Sequence, residues 1–239
     1  MLFLLLILVV SVVSGATAAI AGFGIGSLLT PLLATELGVP LAVAAVSIPH
    51  AIATAVRAWR LRRAISWPVF RTFGVLSAVG GLAGALLYTR VGSRALEIIL
   101  GLLLIATALA ALSNWMRRLH PRGVAAHGLG FLSGFFGGVA GNQGGLRAAA
   151  LLTFALTPAA FVATSTAVGL AVDVARMPIY VWRAGAQLTT VMAPIAVATV
   201  GVLIGTILGE RVLFGLSPDR FRRVVGVLIG VLGIWLVLR

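Results

Sequence analysis

Two short stretches of the chain combine glycine with polar side chains in surroundings that are otherwise apolar. The first is Gly22-Phe-Gly24-Ile-Gly26-Ser27. The second is Gly141-Asn142-Gln143-Gly144-Gly145, followed closely by Arg147. Glycine permits a chain reversal and lets backbone N–H groups approach a ligand with no Cβ in the way. A helix that starts after such a reversal offers unpaired N–H groups and the positive end of its dipole, which suits an anion. Arginine adds donors in a rigid fork that matches a carboxylate, sulfonate or sulfite. The competing reading is helix packing through small residues, since Gly22 and Gly26, like Gly80 and Gly84, also satisfy Gly-x-x-x-Gly.

Other polar residues fall inside apolar runs. Asp173 and Arg176 share a helical face, as an internal ion pair or as a group coupling transport to a proton gradient. His50, directly after Pro49, titrates near neutral pH and is a second coupling candidate. Ser47, Ser165 and Thr166 can donate to an anion or bond to their own helix backbone. The remaining chemistry is thin. The chain has no cysteine, which excludes disulfides and thiolate metal sites, and its three histidines and five carboxylates are scattered. Neither a phosphate-binding Gly-x-x-x-x-Gly-Lys-Ser/Thr loop nor a Gly-x-Ser-x-Gly elbow occurs. No enzyme, cofactor or metal is expected.

The elements that must hold these residues are set by composition. Of 239 residues, 61% are hydrophobic and only 10% charged, against roughly a quarter charged in a soluble domain. The 18 basic residues are all arginine and give a net charge of +13. They punctuate apolar runs instead of covering a polar face, so the basic balance points to membrane loops and not to nucleic acid. Eight hydrophobic segments are expected, at about Leu2 to Pro31, Val39 to Val56, Trp67 to Tyr88, Ser93 to Leu112, Ala125 to Phe154, Pro158 to Val181, Leu188 to Leu208 and Arg220 to Leu238. Leu2 to Val13 has the look of a signal-peptide core but lacks a basic leader, so it is expected to remain as a first span. Trp59, Trp67, Trp115 and Trp182 fall at span ends as interfacial anchors.

The only polar, basic break, Asn114 to Gly123, halves the chain. Across it Gly22 matches Gly141, Gly26 matches Gly145, Pro40 falls near Pro158, Ser47 near Ser165, Gly84 on Gly205 and Gly101 on Gly226. The expected fold is therefore an all-α polytopic membrane protein. It has a first repeat at 1–113, a basic linker at 114–124 and a second repeat at 125–239, each repeat carrying a glycine-rich broken or re-entrant segment. On eight simple crossings with the N-terminus inside, eleven arginines, Arg57 and Arg176 among them, collect on one side against six on the other. Yet the arginine-rich loop follows a different segment in each half. Inverted halves would do this, given a hidden crossing in the glycine-bearing segments.

An apolar span followed by Gly-x-Gly-x-Gly and Pro-Leu-Leu, repeated after a central linker, resembles the TauE/SafE sulfite-exporter family, also called toluene-sulfonate uptake permeases. The matching residues run from Gly22 through Gly24 and Gly26 to Pro31-Leu-Leu, and again from Gly134 through Gly137, Gly138 and Gly141 to Gly144 and Gly145. The resemblance covers Leu2 to Leu238. It implies a multi-pass transporter of the bacterial inner membrane carrying a small, sulfur-containing anion by alternating access. The partners expected are that anion and lipid, with a homodimer left open. Gln143 and Ala150 depart from the pattern, standing where the family tends to have glycine and where the first copy has Pro31. The expected substrate-binding set is Gly22, Gly24, Gly26, Ser47, Asn142, Gln143, Gly144, Gly145, Arg147 and Ser165, with His50, Asp173 and Arg176 for coupling. A non-transporting membrane scaffold, whose glycines only pack helices, is the alternative.

Overall fold

The computed structural model describes residues 2–88, 93–113, 124–141, 144–151, 154, 156–212, 227, 230–231 and 233–238, and the regular structure among them is helical throughout. The elements are α1 (Leu2–Ala21), α2 (Ile25–Leu37), α3 (Val39–Leu61), α4 (Trp67–Leu87), α5 (Ser93–Leu112), α6 (Val124–Ala140), α7 (Gly144–Leu151), α8 (Pro158–Thr190) and α9 (Met192–Val212). Residues 233–238 are helical again. Among the described residues α1, α3, α4, α8 and α9 are long and apolar enough to cross a membrane. Their outward side chains are apolar, with Leu2, Val9, Val79, Val174 and Ile204 exposed, which is the surface that lipid requires. The protein is an all-α, multi-pass membrane protein.

The two overlong segments are each broken where glycine adopts a backbone that other residues avoid. Gly22 at φ +74° and Gly24 at φ +141° separate α1 from α2, and Gly141 at φ +73° ends α6 ahead of α7. Prolines do not make these breaks. Pro31, Pro49 and Pro178 lie inside helices. Pro40 and Pro158 stand in the first turns of α3 and α8, where a missing N–H has no helical partner to lose. The sixth hydrophobic segment is longer than its apolar run suggests. At 33 residues, α8 is about 50 Å long, well over the roughly 30 Å of a bilayer core.

Glycine also sets how closely the helices approach, and the contacts fix their directions. Gly201 lies against Leu8, Gly205 against Val12 and Gly209 against Ala16, so α1 and α9 run parallel. Gly80 lies against Phe131 and Gly84 against Phe135, so α4 and α6 run parallel as well. Helix α4 also follows α8, with Gly74 at Val168, Gly81 at Val172 and the Tyr88 ring edge-on to Tyr180. In contrast α3 and α8 are antiparallel. The Ser66 N–H, just past α3, donates to Thr164 Oγ1 near the start of α8 at 2.9 Å, whereas mid-α3 His50 meets Asp173 further along α8. Helix α5 and the 233–238 helix are antiparallel too, through Gly101 at Gly233 and Arg94 Nη2 donating to the Val237 carbonyl.

Since α6 and α8 both follow α4, they point the same way, and α7 must return between them. Leu151 and Phe154, at and beyond its end, come back to Phe73, whose ring abuts Gly130 halfway along α6. The α6–α7 unit is thus a hairpin.

Candidate functional site

The two breaks meet in the interior. A methyl group on Gly26 would collide with the Gly141 carbonyl oxygen, and one on Gly144 would collide with the Phe23 side chain. Between them lies a cavity lined by Phe23, Gly24, Gly26, Ser27, His50, Gly141, Gly144 and Arg147. It holds about 210 Å³ of empty space counting its mouth, while its inner room is close to the size of one water molecule. The N-termini of α2 and α7 both open here. Gly24 has no side chain with which to cap α2, and the positive end of that helix dipole faces the cavity.

Arg147, in the first turn of α7, is 2% exposed. Its Nε donates to Ser165 Oγ and its Nη2 to the Gly22 carbonyl, each at 3.0 Å. One guanidinium therefore ties together α7, α8 and the end of α1. Its third nitrogen, Nη1, rests beside Gly169 with no hydrogen-bond partner among the described residues.

On the opposite wall His50 Nδ1 is 2.5 Å from Asp173 Oδ2 and 3.4 Å from Thr54 Oγ1. Asp173 Oδ1 accepts from Arg176 Nε at 3.1 Å and Nη2 at 2.8 Å. Arg176 Nη1 reaches the Gly137 carbonyl, and Tyr180 hydroxyl the Gly138 carbonyl, both in the last turn of α6. The Gly137 carbonyl also accepts the Gly141 N–H at 3.0 Å, so the charge network ends on the oxygen that caps the break. Asp173 and Arg176 are fully buried. Such ions are sustained by each other and by the surrounding hydrogen bonds.

The sequence-derived set divides. Gly22, Gly24, Gly26, Gly144, Arg147, Ser165, His50, Asp173 and Arg176 come together around the cavity, and Gly145 lies in the adjoining turn of α7. Ser47 turns away, donating to the Ala44 carbonyl of its own helix at 2.6 Å. Asn142 and Gln143 lie outside the described residues. Gly80 and Gly84 serve packing alone. Ser27, which closes the first glycine stretch, lines the cavity too, and Phe23, Thr54 and Tyr180 belong to the site without having been singled out. An aromatic residue within Gly22-Phe-Gly24 was the one available hint. Arg57 and Arg176, counted above as loop residues, are 3% and 1% exposed, so both drop out of the tally of arginines by side.

Membrane-spanning helices packed around two glycine-broken segments and a buried cationic cavity are the build of a membrane transporter with discontinuous helices. Comparison with known families makes this specific. Residues 7–236 match the family described as sulfite exporter TauE/SafE, and the chain belongs to that family of membrane transporters. No curated protein and no solved structure matches the chain.

Proposed function

We propose that the protein carries a small anion, of the sulfite or sulfonate kind, across the bacterial inner membrane by alternating access, binding it where the two breaks meet. The observation that carries this reading is Arg147. It is a buried guanidinium held on two sides by Ser165 and Gly22, with Nη1 unpartnered beside Gly169, and it lines a cavity faced by two helix N-termini. A tetrahedral or pyramidal oxyanion suits both the fork and the positive ends of the two helices. The sulfur-containing class rests on the family, whose description names sulfite.

Alternating access draws support from the helix pairings. The contact of α1 with α9 has its counterpart in that of α6 with α4, and α3 with α8 is an antiparallel pair of like elements. Two inverted halves, 1–113 and 125–239, account for all three pairings. In such proteins the substrate site lies near the midplane where the halves meet. The water-sized interior fits a closed state, and admitting sulfite requires the breaks to part. In reconstituted vesicles, Arg147→Ala is expected to abolish sulfite flux while the helical content of the purified protein is kept. Flux equal to that of the parent protein overturns the site assignment.

A further inference from the structure

We propose that the cavity takes up a proton together with its anion, and that the imidazole of His50 holds that proton. This rests on the anion-binding reading of the cavity. Of the residues that line it, His50 and Arg147 are the two that carry ionisable side chains, and histidine is the one that titrates near neutral pH. Its orientation is fixed. Nδ1 is held by Asp173, while Nε2 has no partner among the described residues on a ring that forms a cavity wall.

The charged groups that face His50 are Asp173 and Arg176 from α8 and Arg147 from α7, with Arg57 two turns along its own helix. Asp173 divides its carboxylate, giving Oδ1 to Arg176 and Oδ2 to His50. It is thus placed to support an imidazolium but is already shared with one cation. With the cavity empty, a further charge on His50 is opposed by Arg147 across the cavity and by Arg176 behind Asp173. An anion held between Arg147 and His50 in the cavity removes the first opposition and accepts a hydrogen bond from the protonated ring at Nε2. Proton and anion therefore bind together, and by linkage each strengthens the other. On release, the proton leaves Nε2 for water as the anion departs. The far end of the network, Arg176 on the Gly137 carbonyl, carries the change to the break at Gly141.

The test uses the full chain in detergent and methanesulfonate as the probe, because this anion does not itself titrate near neutral pH. A glass electrode in weakly buffered solution reads proton uptake on mixing at matched pH. Uptake approaching one proton per anion bound is expected over part of the range from roughly pH 6 to 8, with affinity falling by up to about tenfold per pH unit above it. His50→Gln is expected to bind with a flat pH profile and no uptake. Asp173→Asn is expected to move the uptake to lower pH, an effect a packing role does not produce. Binding by the parent protein without uptake, or uptake that survives in His50→Gln, overturns the proposal and leaves the anion site standing. Absence of binding by both methanesulfonate and sulfite at every pH overturns the anion site and this inference with it.

Discussion

Gly26 and Gly144 hold the two breaks against each other because neither has a side chain. A methyl on the first would run into the Gly141 carbonyl, and on the second into Phe23. Alanine at either position is expected to cost about 1–3 kcal/mol through overpacking, read as a lower Tm, and to spread the cavity walls enough to cut flux. Gly128→Ala is the control. Nothing lies within 4 Å of its absent Cβ, so Tm and flux are expected to stay as they are. A small effect at Gly26 and Gly144 would show that the breaks are loosely packed. At this scale the sequence was informative wherever cost betrayed position. An arginine inside an apolar run next to glycines either snorkels to an interface or is buried with partners, and Arg147 is buried and bonded to Ser165 and Gly22. His50 and Asp173, 123 positions apart, gave no sign of each other, because nothing in local spacing records which helices become neighbours. Arg57 was assigned to a loop because its helix continues past the apolar run, to Leu61.

Among the helices, glycine does two jobs that composition cannot separate. At φ values of +73° to +141° it breaks a helix, and elsewhere it brings two helices into backbone contact. The contacts also set the register. Gly80 and Gly84 stand to Phe131 and Phe135 as Gly205 and Gly209 stand to Val12 and Ala16. Gly84 therefore corresponds to Gly209, one turn beyond the Gly205 that sequence matching selects, since a small-residue ladder aligns with itself equally well after a shift of one turn. The match of Gly101 with Gly226 lies outside the described residues. Leucine at Gly84 is expected to separate α4 from α6, and leucine at Gly209 to separate α1 from α9, each with a marked loss of Tm. Because the two interfaces are separate, the losses are expected to add in the double variant. Strong non-additivity in thermal unfolding would show that the two contacts are one cooperative unit.

At the scale of the molecule, the antiparallel α3–α8 pair puts the α3–α4 turn and the start of α8 on one side of the membrane and the end of α8 on the other. The chain has no cysteine, so a single introduced thiol is unique. Arg63→Cys and Thr189→Cys, both at exposed positions, are expected to react with an impermeant maleimide from opposite sides of sealed vesicles. Reaction from the same side would exclude the antiparallel arrangement. The multi-pass membrane class was legible from hydropathy, and the glycine clusters pointed to a broken or re-entrant segment. Which neighbours α7 returns to was not legible, because local sequence does not record long-range contacts. The same guanidinium that shapes the cavity also constrains biogenesis. Arg147 leaves the ribosome long after Gly22 and before Ser165, yet it is bonded to both. A nascent chain halted after α7 would hold an arginine in lipid with half its partners unmade, so the hairpin is stable in the bilayer only after α8 has followed it in.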